Sequence, residues 1–320
     1  MKALVTGAAG FIGSTLMERL SAEGDSPVGI DNFSDYYDPE IKRSNAAFVE
    51  ACGGAIIDGD VNEIDLDALL EDVDVVYHLA GQPGVRKSWG SAFDVYVTAN
   101  VSATQRLLEA ARRVPTRPRV VYASSSSVYG NAESYPTSEV ALPQPRSPYG
   151  VTKLAGEHLC RLYAANHGVS TVSLRFFTVY GPRQRPDMAF TRFLSAALRD
   201  EPIHVFGTGD QIRDFTYVAD IVESIIRAGT ADVAKGSVYN VSGGGSHSVN
   251  EVLAVIEDLT GRAVQVQRED AALGDVSRTT AEITAITSAL AWNPSTDLRT
   301  GLAAQLEWLR SMGTATSDWS

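Results

Sequence analysis

Close to its start the chain runs Lys2–Thr6 as KALVT, a short apolar stretch rich in strand formers. It then meets Gly7-Ala8-Ala9-Gly10-Phe11-Ile12-Gly13, and an apolar helical spacing of Phe11, Leu16 and Leu20 follows. A strand, a GxxGxxG turn and a helix in that order restrict the possible folds more than any other stretch of the chain. Glycine lets the backbone reverse sharply and approach a ligand, and the first N–H groups of the helix suit a pyrophosphate. Glycine at such a turn also serves plain helix–strand packing, so the motif needs context. Context comes 18 residues past Gly13, where Asp31 closes the next apolar run, Val28–Asp31. An acid at that place accepts both hydroxyls of an adenosine ribose and repels a 2′-phosphate. Residues 32–35 contain no Arg or Lys, which predicts NAD rather than NADP.

Further short apolar runs lie at Ala55–Asp58, Val73–Leu79, Val120–Ala123 and Ser170–Phe176, with helical spacing at Asp65–Glu71, Ala92–Arg113 and Tyr149–His167. Strands alternating with helices predict βαβ units and a parallel sheet covered on both faces, so the expected class is α/β with a doubly wound Rossmann domain. After Phe177 the texture changes: Pro182, Pro186 and Pro202, glycine-rich turns at Gly207–Gly209 and Gly243–Gly245, and helical spacing at Met188–Arg199, Asn250–Leu259 and Leu298–Leu309. This predicts a second, smaller α/β lobe. The expected division is 1–178 for an NAD-binding domain and 179–211 with 243–320 for the smaller lobe. Residues 212–242 are expected to return to the first domain, since Phe215–Val218 and Val238–Val241 read as strands.

The 320 residues carry a formal charge of −12, a field that repels nucleic-acid backbones and anionic membrane surfaces, so neither is an expected partner. No apolar run approaches the ~18 residues that span a bilayer, and glycines break the first apolar stretch, so neither a membrane segment nor a signal peptide is expected and the cytoplasm is the predicted location. Cys52 and Cys160 read as buried small hydrophobes, and the five His have no metal-ligand spacing, so no metal is expected. Asp58-Gly59-Asp60-Val61 closes the third apolar run, where Asp60 and Val61 would meet an adenine. His78, at the end of the fourth, reads as a core or edge residue.

Chemistry is suggested by Tyr149 and Lys153, a YxxxK pair at the start of a helix whose entry is set by Ser147-Pro148. Four residues apart, the two share a helical face. A tyrosine titrates near 10, so a useful base at neutral pH needs a drop of about three units, or roughly 4 kcal/mol. One ammonium at 4 Å supplies about that much at an effective dielectric of 20. YxxxK alone is an ordinary exposed helix face, and a run of serines alone is an ordinary solvated loop. Here Val120–Gly130, VVYASSSSVYG, carries four serines at the end of an apolar strand ahead of that helix, where hydroxyls can share a proton with Tyr149.

These elements together resemble the extended short-chain dehydrogenase/reductases that act on nucleotide sugars. The likeness runs from Thr6–Gly13 through Asn100, Ser124–Gly130, Tyr149–Lys153 and Leu174–Pro182 to Arg213–Tyr217 and Gly274–Val276. Within that family, residues 31–39 (DNFSDYYDP), 124–130 and 175–189 (RFFTVYGPRQRPDMA) are most similar to the epimerases of UDP-glucuronate. Neighbouring decarboxylases and UDP-glucose epimerases share several of these stretches and stay open as rivals, as does a non-catalytic NAD-sensing module.

The resemblance implies that Tyr149 is the base for the sugar 4-OH, with Ser125 as its hydroxyl partner, and that Lys153 binds the nicotinamide ribose and lowers the tyrosine pKa. It implies NAD contacts from Gly7, Gly10, Phe11, Ile12 and Gly13, from Asp31, Asn32, Asp60 and Val61, and from Leu79, Ala80, Gln82, Asn100 and Phe176. For a UDP-sugar it implies Val85, Arg86, Ala189, Phe206 against uracil, Arg213 on the diphosphate and Asp275 on the uridine ribose. Ala272 stands where many relatives place a second phosphate-binding arginine, with Arg278 as the candidate replacement. Thr178 replaces the family's usual asparagine and, with Ser126, Ser127 and Arg185, is expected to hold a C6 carboxylate. Ser126 and Ser127 also stand where dehydrating relatives carry acids. UDP-glucuronate and UDP-galacturonate are the implied substrates, and a homodimer through the helices near Asn100 and Tyr149 is the implied assembly.

Overall fold

The computed structural model describes residues 1–270 and 278–312. The first six strands are β1 (Ala3–Thr6), β2 (Val28–Asp31), β3 (Ala55–Asp58), β4 (Val75–His78), β5 (Arg119–Ser125) and β6 (Thr171–Phe176). Beyond them come β7 (Val179–Tyr180), β8 (Ile203–Phe206), β9 (Ile212–Asp214), β10 (Thr216–Tyr217), β11 (Ser237–Val241), β12 (Ser246–Ser248), β13 (Val266–Glu269) and β14 (Arg278–Thr279). Seven strands form one sheet in the order β11-β6-β5-β4-β1-β2-β3, every pair parallel. The strand order reverses between β1 and β4, which opens a crevice at their carboxyl ends.

Helices cover both faces. On one side α1 (Phe11–Ala22) and α8 (Val218–Thr230) pack on the sheet, and Leu16, Leu20, Ile221 and Ile225 join Val5, Tyr77 and Val121 in one buried cluster. On the other, α3 (Leu66–Leu70), α5 (Ala103–Arg113) and α6 (Pro148–His167) bury Leu70, Leu107, Leu108 and Tyr163 against Leu4, Val76 and Val120. The segment expected as a single helix over Ala92–Arg113 is instead α4 (Phe93–Tyr96), a π-helical stretch (Val97–Ser102) and then α5. Asn100 lies within the π stretch, and such local widenings are frequent at functional sites.

Three helices, α2 (Pro39–Ala51), α8 and α10 (Thr284–Leu290), occur where the sequence reading placed none. In α2 the apolar period is weak, and the element owes its start to the Asp38 side chain, which accepts from Glu40 N, and to Pro39. In α8, Val218, Ile221, Val222 and Ile225 do follow helical spacing, but the adjoining Phe215–Val218 run reads locally as a strand. Only Thr216–Tyr217 of that run is β, and it pairs with β7 rather than joining the large sheet. The return of 212–242 to the first domain is therefore limited to α8 and β11, because β9 pairs with β12 and β14.

The second core gathers α7 (Ala189–Arg199), α9 (Val249–Thr260) and α11 (Leu298–Ser311) through Phe193, Leu194, Ile256 and Leu306. Between α9 and α11 lies α10 (Thr284–Leu290). It departs from the expected division: Ile286, Leu290 and Trp292 pack into the first core, where Trp292 Nε1 donates to Asp220 O at 2.9 Å. Cys160 is buried, but Cys52 is exposed, since it caps the carboxyl end of α2 just before Gly53.

Candidate active site

The turn after β1 closes as tightly as its glycines require. Gly7 has φ +72°, and a Cβ on Gly13 would stand 2.0 Å from the Gly7 carbonyl oxygen. Gly10 is the N-cap of α1 and no side chain caps that helix, so the turn presents backbone N–H groups of the kind that bind a pyrophosphate. Asp31 is buried at the end of β2. Its Oδ2 accepts from Ala9 N at 3.0 Å and its Oδ1 from Phe33 N at 2.9 Å. Asn32 Nδ2 donates to Asp60 Oδ2 at 2.9 Å, which ties the ends of β2 and β3 together.

A cavity of about 520 Å³ occupies the crevice at the switch point. Every residue of the glycine turn expected to touch NAD lines it, as do Asp31, Asn32, Asp60 and Val61. So do Leu79, Ala80 and Gln82 after β4, Phe176 at the end of β6, and Tyr149, Lys153 and Arg185. Asn100 acts one layer behind: Oδ1 accepts from Gln82 N at 2.7 Å, and Nδ2 donates to Gln82 O and to Thr152 Oγ1. This chain of donors and cradled backbone fits a dinucleotide. His78 is buried between Thr6 Oγ1 (2.8 Å) and Thr104 Oγ1 (3.0 Å), and burial draws it down to about 3, so it is a neutral structural residue.

Tyr149 sits on the first turn of α6, which Ser147 caps by accepting from Gly150 N at 3.1 Å. Burial pushes the phenol up, and although a hydrogen bond with Ser125 and the charge of Arg185 pull it down, it stays above the ordinary tyrosine value rather than below it as the sequence predicts. Sequence reasoning assigned that pull to Lys153. In the structure Lys153 Nζ donates to Ala123 O at 2.9 Å and lies 5.2 Å from the centroid of the Tyr122 ring, and burial lowers it to about 8. The ammonium is thus anchored on β5, and the charge that lowers the phenol is that of Arg185.

Arg185 is half-buried rather than an exposed surface charge, and its Nε and Nη2 grip Asp187 at 2.9 and 3.0 Å. Asp187 was not singled out in the sequence; two residues apart, the pair is visible there only as a common i,i+2 charge pattern. Tyr36, given no role of its own within the 31–39 stretch, lines the cavity with its ring centroid 5.8 Å from the Arg185 guanidinium.

The four serines separate into different roles. Ser124 is buried and donates to Glu157 Oε1, away from the cavity. Ser125 turns to Tyr149 and also accepts from Ser127 N at 3.1 Å. Ser126 and Ser127 are half-buried in the single 3-10 turn that follows, and Thr178 is half-buried between β6 and β7. Of the residues expected at a nucleotide, Arg86 stacks on Phe206 at 4.0 Å, bringing two distant segments together. Val85 stands next to Arg86, just before a short 3-10 turn. Arg213 lies half-buried on β9, its Nη1 donating to Ile212 O. Ala189 is exposed at the start of α7. Asp275 and Ala272 lie outside the described residues. Arg278 is exposed on β14, its guanidinium 5.2 Å from the Tyr135 ring centroid and its Nε donating to Thr280 Oγ1.

Residues 3–242 match the model of the NAD dependent epimerase/dehydratase family. The uncharacterized UDP-glucose epimerase YtcB of Bacillus subtilis (strain 168) is 43% identical over 318 residues, which cover 98% of this chain and 99% of that protein. UDP-glucuronate 4-epimerase 4 of Arabidopsis thaliana is 38% identical, over 96% of this chain and 75% of its own length. Among solved structures, the UDP-glucuronic acid 4-epimerase of Bacillus cereus in complex with UDP-glucuronic acid and NAD has a TM-score of 0.93 at 42% identity, covering 98% of this chain and 100% of the other.

Proposed function

Since the chain belongs to the NAD dependent epimerase/dehydratase family, we propose that it is a UDP-glucuronate 4-epimerase that interconverts UDP-glucuronate and UDP-galacturonate with NAD retained through turnover. The observation that carries the reading is the meeting of Tyr149, Ser125 and Arg185 beside the glycine-turn cavity, in a chain alike over nearly its whole length to a protein solved with UDP-glucuronic acid and NAD.

NAD supplies a reversible hydride acceptor for C4 of the sugar; the remaining work falls to side chains. Tyr149 takes the 4-OH proton, with Ser125 sharing it, and returns it after the 4-keto sugar has turned over in the site. Lys153, fixed to Ala123 O, would bind the nicotinamide ribose. Ser126, Ser127 and Thr178 offer hydroxyls to the C6 carboxylate, and no carboxylic acid stands at 126 or 127 to drive elimination. Arg185 adds charge there, sharing its fork with Asp187. Phe206 with Arg86, and Arg213 with Asp275, are assigned to the uridine diphosphate.

The same reading divides the chain into an NAD-binding domain, 1–178 with α8 and β11, and a nucleotide-sugar domain from 179–211 and most of 243–320. It pairs two copies in the cytoplasm through the helices near Asn100 and Tyr149, where Val151 of α6 is a half-exposed apolar residue. No helix among the described residues is long and apolar enough to cross a membrane.

The test is direct. Incubated separately with UDP-glucuronate and UDP-glucose, without added NAD, and followed by NMR, the protein is expected to yield UDP-galacturonate as the main product of the uronate. UDP-xylose or a 4-keto-pentose as the main product makes it a decarboxylase. Preferred turnover of UDP-glucose supports instead the reading that the likeness to YtcB favours.

A second expectation concerns the carboxylate. A hydrogen bond to a charged group contributes about 1.5–3 kcal/mol, so Thr178→Val should weaken kcat/KM for UDP-glucuronate roughly tenfold or more and affect UDP-glucose much less. Arg185→Ala should act in the same direction, although it also leaves the Asp187 carboxylate unpaired. A β-keto acid loses CO2 fastest when its carboxylate bond stands perpendicular to the carbonyl, and donors that hold it otherwise would protect the 4-keto acid, so CO2 release should rise in these variants. Equal losses on both substrates would remove Thr178 and Arg185 from carboxylate recognition.

A further inference from the structure

Beside the acid that ends β2 lies a buried lysine to which the foregoing reading gives no role. Lys42 comes from the second turn of α2, and Asn45 on the same helix ties it to the glycine turn, its Nδ2 donating to Ala9 O at 3.0 Å. Lys42 and Asp31 are each only 6% exposed. Lys42 Nζ donates to Ser34 Oγ at 2.9 Å, stands 3.8 Å from Asp31 Oδ1 and lies 5.1 Å from the centroid of the Tyr37 ring. Asp31, Ser34, Tyr37 and Lys42 all line the cavity.

An ammonium withdrawn from water is costly unless a counter-charge stands near it. Burial lowers Lys42 and the Asp31 carboxylate raises it again, so the carboxylate is what keeps this cation tolerable. The lack of basic residues at 32–35 is therefore not a lack of a cation at this corner, because α2 delivers one from outside that window. Asp31 already accepts from Ala9 N and Phe33 N, which fixes it over the lysine.

We propose that Lys42 is a specificity-determining residue of the cofactor site: a cation neutralised by Asp31, so that exclusion of a dinucleotide bearing a 2′-phosphate depends on this pairing. The proposal rests on the reading that this end of the cavity holds the adenosine half of NAD. At an ordinary acid-ended strand, removing the acid only lifts a repulsion. Here it also uncovers an ammonium and the Ser34 hydroxyl, two donors suited to a phosphate dianion.

The experiment compares wild type, Asp31→Ser, Lys42→Met and the double variant. Each purified protein is equilibrated with equal concentrations of NAD and NADP, separated from free nucleotide and acid-extracted, and the bound NADP:NAD ratio is measured by chromatography. Circular dichroism checks folding, and Asp31→Asn, alone and with Lys42→Met, gives the same comparison with an acceptor retained for Ala9 N. Wild type is expected to hold NAD with little NADP. Asp31→Ser should raise the ratio, and adding Lys42→Met should lower it again about tenfold or more, the scale of one charged hydrogen bond. A ratio that is the same in Asp31→Ser with or without Lys42→Met overturns the proposal. Wild type that holds neither nucleotide overturns the placement of NAD itself, and the proposal with it.

Discussion

Replacing Tyr149 by Phe is expected to lower turnover of UDP-glucuronate by roughly 10²–10⁴-fold, the range a positioned proton-transfer group supplies, while NAD and substrate stay bound. The substitution deletes one oxygen and leaves the ring, which stands 6.3 Å from Tyr96 in an edge-on contact. What is lost is the hydroxyl that Ser125 hydrogen-bonds and that Arg185 makes more acidic against the effect of burial. Because that hydroxyl contributes most in the transition state, kcat should fall far more than KM rises. Steady-state kinetics together with extraction of bound NAD checks both halves of the expectation. Activity beyond a few per cent of wild type would show that another group takes the 4-OH proton.

The part of this site that could be read from the sequence is the part built from local geometry. The GxxGxxG turn, the YxxxK spacing and the serines at the end of β5 each lie within about ten residues, so the backbone rules of one turn or one helical face place them. The direction of each side chain's partner is a different matter. Four residues of spacing put Lys153 on the same face as Tyr149, yet its ammonium is fixed by the Ala123 carbonyl, an acceptor on another strand. Lys42 meets Asp31 only because α2 packs against α1 and β3, and α2 itself begins on a cap rather than on an apolar period. The Arg86–Phe206 stack joins segments 120 residues apart and has no local signature. The parallel sheet was legible because both its faces are covered and its strands are short apolar runs. The exchange of segments between the two lobes was not, since α10 and Trp292 carry no local signal and return to the first core through tertiary packing alone.

The same distinction gives the largest expected change in stability, at a pair that no sequence motif marks. On the face of α6 that carries Tyr149 and Lys153, one further turn along, Glu157 is buried with Arg175 of β6. Arg175 Nη2 and Nε bond its carboxylate at 2.7 and 2.9 Å, and Ser124 donates to the same group. Arg175 Nη1 donates to Tyr129 Oη at 2.7 Å, and that hydroxyl donates in turn to Asn240 Oδ1 of β11, so the pair joins α6 to three adjacent strands below Ser125. Removing one partner of a buried ion pair leaves an uncompensated charge and costs about 3–5 kcal/mol, whereas removing both is often far less harmful. Glu157→Leu is therefore expected to lose about 3–5 kcal/mol in urea unfolding, and Glu157→Leu with Arg175→Leu to lose less than the two single variants together. The double variant does not return to wild-type stability, because Ser124 and Tyr129 each lose a partner. Losses that simply add, or a Glu157→Leu variant within about 1 kcal/mol of wild type, would mean that water reaches this pair and that it does not hold the serine strand against α6.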